Sequence, residues 1–374
     1  MTPTDHVYNY TAETGLQEQL FPVNAGANRD RCMAPGQNCI WLTDLNINAA
    51  LAELDYHASR QQQELAAGLV PAPFFVYVAF SEPHVGFWSS LGGSPRGNVV
   101  PSDGRFASQT GWPAVERDHA AAIEVWHDMF VKKMMDRLTT LGLRSSTAVV
   151  YMSDNGASDE SPETGGHSGA FFRSSGPLTG YKLWLTEGGI RVPAAISWPG
   201  RVVAGATSGA VQAIWDLAPT ILDMAGIPAA LWPARMDGVS LWKNIWLQPK
   251  SADGKVVAAP GFVHPPLYWE RCSNGRGNRP TWAFARNGGA FSRAVMDGQW
   301  KGMALFYAGE FSEFRLYNLI ADLGEHTDVA ARYPLLTAQL KAVLASSAIR
   351  NATAGGFLYP ANDACAGVYG APLP

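Results

Sequence analysis

The chain of 374 residues is poor in charge: Asp, Glu, Lys and Arg make up 16%, with 28 basic residues against 32 acidic ones and a net charge of −4. Without a basic excess it offers no electrostatic footprint for DNA or RNA, so no nucleic-acid partner is expected. With 47% hydrophobic residues the composition is not that of a disordered chain either. No run of about 18 apolar residues occurs, so no membrane span is expected. The first residues, MTPTDHVYNYTAETG, lack a basic stretch followed by an apolar one and do not read as a signal peptide. Cysteine is scarce. Cys32, Cys39, Cys272 and Cys365 form no Cys-x-x-Cys pair, which weakens a zinc or thioredoxin-like reading. Cys32 with Cys39, and Cys272 with Cys365, are the candidate disulfides. Sequons at Asn9-Tyr10-Thr11 and Asn351-Ala352-Thr353 tilt mildly towards a secreted or luminal glycoprotein.

What is present reads as an α/β chain of two domains or one large one. Residues 1–40, polar and rich in Gly, Pro and Asn, read as loop. A helix is expected over 43–63, with Ile47, Leu51 and Leu54 on its apolar side. PFFVYVAF (73–80) is a short aromatic and β-branched run, the signature of a buried strand. The clearest helix spans 116–141, where Ile123, Trp126, Phe130, Met134, Leu138 and Leu141 recur at steps of three and four and Gly142 supplies the stop. TAVVYMSDNG (147–156) and VPAAISW (192–198) are further strands, and a helix follows around 210–225. This order suggests a mostly parallel sheet between helices. Beyond about residue 236 short segments alternate with Gly-rich turns, as in a small antiparallel sheet, and a last helix is expected over 334–348. The division is therefore 1–235 and 236–374.

The residues able to carry chemistry cluster at strand ends, where open α/β sheets bind ligands. Asp154 and Asn155 place a carboxylate and an amide oxygen side by side, the donor type that Ca²⁺ and Mg²⁺ require. The same Ser153-Asp154-Asn155-Gly156 run is also good turn chemistry. His84, just past strand 73–80, can hydrogen-bond an oxyanion or act as a general acid; a satisfied loop histidine is the plainer reading. Lys182 is a compact cation suited to an anionic ester. His167 follows the Asp-Asn turn and reads as a structural or substrate-loop residue. Glu187 and Arg191, flanking two glycines, can pair across their turn. His57, His119 and His127 fall on helical stretches and read as core or surface.

Taken together, FFVYVAFSEPH, TAVVYMSDNG, GPLTGYKLWLTEGGIRVPAAISWPG and FRLYNLIADLGEHTDVAARYP resemble the sulfatase family, in that family's order, over roughly residues 40–335. The resemblance implies an alkaline-phosphatase-like α/β fold with a smaller C-terminal antiparallel subdomain. It implies an arylsulfatase-like sulfuric ester hydrolase in which Asp154 and Asn155 bind a divalent cation, Ca²⁺ or else Mg²⁺. His84 and Lys182 would then hold the sulfate or assist the leaving group, with His167 in the substrate loop. The substrate would be a sulfated small molecule or glycan, and the compartment secreted, lysosomal or otherwise luminal. The family's nucleophile is a formylglycine made from Cys or Ser in Cys/Ser-x-Pro-x-Arg, and no such pentapeptide occurs here. Nor does the paired aspartate that completes the metal site. Both are expected upstream of this chain. A phosphodiesterase or phosphonate hydrolase on the same fold, and a non-catalytic binder of anions or glycans, are the alternatives.

Overall fold

The computed structural model of the protein describes residues 6–11, 15–20, 42–84, 86–87, 96–98, 100–159, 166–273, 290–307 and 310–347. Cys32, Cys39, Cys365 and the sequon at Asn351 fall outside them, so neither candidate disulfide is described. The chain divides into two compact units, residues 1–148 with 158–174 and residues 149–157 with 175–374.

In the first unit, β1 (His6–Thr11) and β2 (Gly15–Leu20) form an antiparallel hairpin where a loop was expected. The Val-Tyr-Asn-Tyr-Thr run has strand propensity that the surrounding Gly and Pro content obscures. Helix α1 (Leu42–Ala66) buries Ile47, Ala50, Leu54 and Ala58, a stripe at steps of three and four. Helix α2 (Ala114–Ala121) runs through a π-helical turn, Ala122–His127, into α3 (Asp128–Thr140). That turn widens the helix and shifts the apolar register. Ala120, Ala121 and Ala122 are buried while Ile123, expected on the core face, is 40% exposed. After the turn the expected register resumes at Phe130 and Leu138, and Gly142 ends the helix with φ +71°. Arg137 on α3 bonds Asp55 on α1 at 2.6 Å.

Residues 73–80 differ from expectation. They are not laddered to any strand among the described residues. Their burial nevertheless alternates as in a strand: Phe75, Tyr77 and Ala79 are exposed, whereas Phe74, Val76, Val78 and Phe80 are partly covered. Phe74 stacks on His57 of α1 at 5.0 Å, and Phe80 meets His127 and Phe130 of the helical pair.

In the second unit, β3 (Val149–Met152) pairs with β4 (Ala194–Ser197), as the sequence placed them, but antiparallel. The described residues contain one parallel pair, the two-residue Thr207–Ser208 with Lys255–Val256. Helix α4 (Leu217–Met224) follows, its first turn anchored by buried Asp216, which accepts from the amides of Ala213 and Val239 and contacts His264 at 2.9 Å.

The C-terminal part is a four-stranded antiparallel meander of β5 (Leu267–Ser273), β6 (Ala290–Asp297), β7 (Trp300–Tyr307) and β8 (Glu310–Asn318). β6 and β7 join through Gly298 and Gln299; Gly298, at φ +57°, takes the first central position of a two-residue hairpin turn. One face packs Val295, Ala304, Phe306 and Leu316 against Leu340 and Leu344 of helix α5 (Pro334–Ser347). The other packs Ala294, Met303 and Tyr317 with Leu185 and Ile190.

This second face also carries Lys301, which is fully buried. Its ammonium lies 2.8 Å from Glu187 Oε1 and 2.9 Å from Glu325 Oε1. Glu325 Oε2 accepts the Glu187 amide at 2.6 Å, and Arg191 reaches Glu187 Oε2 at 2.6 Å, as the sequence proposed. Burial alone raises the Glu187 carboxyl, but the charges and hydrogen bonds of Lys301 and Arg191 outweigh it and hold it below the ordinary value of 4.5. For Glu325 burial dominates; Lys301 offsets part of it, and the carboxyl sits above 4.5.

Removing the cation leaves two buried carboxylates facing each other. Lys301→Ala is therefore expected to cost about 3–5 kcal/mol in a denaturant titration. The pH profile carries opposite signs. Glu187, depressed, stabilises the fold above 4.5 and that contribution is lost as pH falls through its folded value. Glu325, elevated, contributes below 4.5 and that contribution is lost as pH rises through its folded value. Unfolding between pH 3 and 8 should show Glu325→Gln flattening the decline on the alkaline side while the acid limb persists.

Candidate functional site

The site in the second unit is built at the end of β3. Ser153 donates its amide to Pro193 O at 3.2 Å and its hydroxyl to Asn155 O at 2.9 Å, which closes the Asp154-Asn155 turn. Gly156 then donates to Gly189 O at 3.0 Å. A Cβ on Gly156 would stand 2.0 Å from Gly188 O, so only glycine allows this backbone-on-backbone contact. Gly188 is equally constrained, since its Cβ would meet Gly180 O at 2.1 Å. Lys182 donates its amide to Ala157 O at 2.7 Å. The lysine loop and the Glu-Gly-Gly-Ile-Arg turn, adjacent in the sequence, thus join the Asp-Asn turn from further up the chain in one backbone-bonded assembly.

Asp154 is exposed and Asn155 half-buried, and neither side chain has a protein partner among the described residues. Lys182 is half-buried, and its ammonium has no carboxylate partner among them. The next residue, Leu183, adopts φ +81°, a left-handed conformation that a branched side chain resists. Such strain persists where surrounding contacts impose it, and it is concentrated at functional loops. The hydrogen bonds on either side, Lys182 N to Ala157 O and Trp184 N to Tyr181 O at 3.0 Å, impose it here.

His84 and His167 belong to the first unit. His84 is exposed, and its amide donates to Ser81 O at 2.8 Å. Its loop is held to α1 by the Thr43 hydroxyl, which donates to Glu82. Burial raises the Glu82 carboxyl above its ordinary value. His167 is fully buried: Nδ1 meets Glu116 Oε2 at 2.6 Å, and the ring stacks on His119 at 3.5 Å and 10°. Its environment is therefore protein on both faces, which fits the structural reading of this residue.

Sequence reasoning read His119 as a core or surface residue of a helix, and it is buried; it passed over Glu116, three residues earlier on α2, and Asn98. Burial, with the neighbouring His167 acting second, lowers His119 to about 3, so its ring is neutral at physiological pH. The available sequence signal was the spacing alone, Glu-x-x-His on one helix face.

Asp154 and Asn155 suit a hard divalent cation by donor type, and an exposed carboxylate beside a free amide oxygen fits such an ion. Six to eight oxygens are the usual calcium shell, so these two supply part of one. Among the described residues no group of three or more His, Cys, Asp or Glu side chains is arranged to hold a metal ion.

The Sulfatase family model matches residues 59–227. N-acetylgalactosamine-6-sulfatase of Rattus norvegicus is 32% identical over 266 residues, 70% of this chain and 40% of that protein. The "uncharacterized sulfatase YdeN" of Escherichia coli K12 is 26% identical over 339 residues, 85% of this chain and 51% of the relative. The chain thus spans about half the length, or less, of these curated relatives. Among solved structures, Ps i-CgsB superposes with a TM-score of 0.57 at 22% identity, covering 83% of this chain and 55% of that one. The yidJ putative sulfatase of Bacteroides fragilis gives 0.54 at 17%, covering 91% and 62%. These likenesses establish the alkaline-phosphatase-like α/β fold with its small antiparallel sheet. With the matched family model and the curated relatives in agreement, residues 59–227 of the chain belong to the sulfatase family.

Proposed function

We propose that this chain serves the hydrolysis of sulfate esters carried by a small molecule or glycan. The observation that carries the reading is the backbone-bonded assembly at the end of β3, where an Asp154 carboxylate and Asn155 amide adjoin the loop of Lys182, none of these side chains having a charged or hydrogen-bonding partner among the described residues. Oppositely charged groups in neighbouring loops that do not pair with each other are suited to share a ligand that is anionic and metal-bound. Asp154 and Asn155 would hold a divalent cation, Ca²⁺ in the family's pattern or Mg²⁺. Bound there, the ion supplies positive charge to the sulfate oxygens.

Lys182 offers a point charge to the same oxygens. In the family's pattern His84, exposed on its turn, would hold a sulfate oxygen or assist the leaving group with a hydrogen bond or a proton. His167 acts one step removed, by bracing the loop that follows it. The nucleophile in this reading is the family's formylglycine, whose pentapeptide this sequence does not contain. A secreted, lysosomal or other luminal setting accompanies the proposal, supported by the two sequons. Among the described residues no helix is long and apolar enough to cross a membrane.

Two measurements test it. Calorimetric titration of the chain with Ca²⁺ should give a site that Asp154→Ala weakens by at least about tenfold, roughly 1.4 kcal/mol. An unchanged isotherm would remove Asp154 from the metal site. When the chain is joined to a segment carrying Cys-x-Pro-x-Arg and the paired aspartates, and the cysteine is converted, aryl sulfate should be cleaved. Lys182→Ala should then lower kcat/KM by about 10²–10³. Cleavage of phosphodiesters in preference to sulfates would favour the phosphodiesterase alternative.

A further inference from the structure

The buried polar face of α2 leads to His84 by a continuous path. Asn98, 2% exposed, donates through Nδ2 to Pro83 O at 2.7 Å and to His84 O at 3.3 Å. Only the amide NH₂ can donate to carbonyls, so these two bonds fix the orientation of the Asn98 side chain and turn Oδ1 towards His119 Nδ1, 2.9 Å away. His119 must then carry its proton on Nδ1. One flat side of its ring is backed by His167 at 3.5 Å. His167 is in turn held by Glu116, whose other oxygen accepts the Ser168 amide at 2.9 Å. Asn98, Glu116, His119 and His167 are all buried, and four polar side chains buried together require a complete set of partners. Here the set terminates on the main chain of the residue proposed to meet the sulfate.

We propose that Asn98 and His119 are positioning residues for His84. The Nδ1–H of His119 orients the Asn98 amide, and that amide clamps the Pro83–His84 carbonyls and so sets the direction in which the His84 imidazole is presented. This rests on the reading of His84 as a sulfate-contacting group. The arrangement resembles the outer hydrogen bonds that orient metal-bound histidines, with the backbone rather than the ring as the point of control. A neutral His119 suits the task, because one ring nitrogen donates and the path has a single sense.

The test uses the whole chain with ¹⁵N-labelled histidine and inorganic sulfate as the probe. His119→Phe keeps a flat ring against His167 but removes the donor. Asn98→Asp removes both donations to the carbonyls. His119→Asn restores an N–H at about the place of Nδ1. The dissociation constant for sulfate, followed on the His84 ring, is expected to rise about tenfold in the Phe and Asp variants and to return to within about twofold of the parent in His119→Asn. Sulfate binding unchanged in a folded His119→Phe protein would overturn the proposal, as would failure of His119→Asn to restore it. If sulfate leaves the His84 ring unmoved in the parent chain, the sulfate role of His84 falls. The positioning is then read without anion from the His84 amide resonance: displacement in His119→Phe and recovery in His119→Asn support it, and identical positions in all variants refute it.

Discussion

The fully buried Lys301 is the constraint on which the second unit depends. Burying an ion pair is a poor way to gain free energy, because desolvation consumes most of the Coulomb attraction. What the lysine fixes is placement. On β7 its side chain points to the face opposite α5, and a slip of one residue would carry it to the helix side, away from both carboxylates. The register of the C-terminal sheet is therefore coupled to the Glu187 turn. Through the glycines of that turn it is coupled to Gly156 and to the strand end that carries Asp154 and Asn155. Thr179, donating to Gly324 O, draws the approach to the lysine loop towards the same acidic turn. Glu325 itself adopts φ +56°, a left-handed conformation held by the two groups that its carboxylate serves.

The first unit solves its buried-polar problem differently. On α2 a single carboxylate, Glu116, serves a histidine and a backbone amide, while the second histidine stays neutral and is satisfied by an amide. Neutral donors cost less to bury than charges and tolerate a dry interior. The result is a polar hub joined to two loops, residues 81–84 and 166–174, on a helix that also buries Asp118, Ala120 and Ala121.

Much of this was legible in the sequence because it is local. The periodicity of α1, α3 and α5 and the strand ends at Met152 and Ser197 follow from spacing and from Gly and Pro punctuation. The Glu187–Arg191 pair lies within one turn. Lys301 was not legible, since a lysine between Trp300 and Gly302 reads as a solvated strand residue until its distant partners are known. The Glu116–His119–His167 hub joins positions some 50 residues apart, a separation that no periodicity reports. The π-helical turn at Ala122–His127 hid Ile123 from a reading that assumed 3.6 residues per turn throughout. The antiparallel sense of β3 and β4 was missed because burial pattern distinguishes a covered strand from an exposed one but says nothing of its direction.

The extended stretch from Phe74 to Phe80 has a consequence for how the chain behaves in company. It shows Phe75 and Tyr77, 68% and 81% exposed, within a window that carries neither a charge nor a proline. Its strand-like alternation has no ladder among the described residues, where Asn46 Nδ2 donates to Ala79 O. Natural edges are blunted by lysine, proline or a bulge, and this one has none of those gatekeepers. In a crowded solution a stretch of this kind is open to cross-β growth, and a chaperone that reads bare aromatic strands would find a handle there.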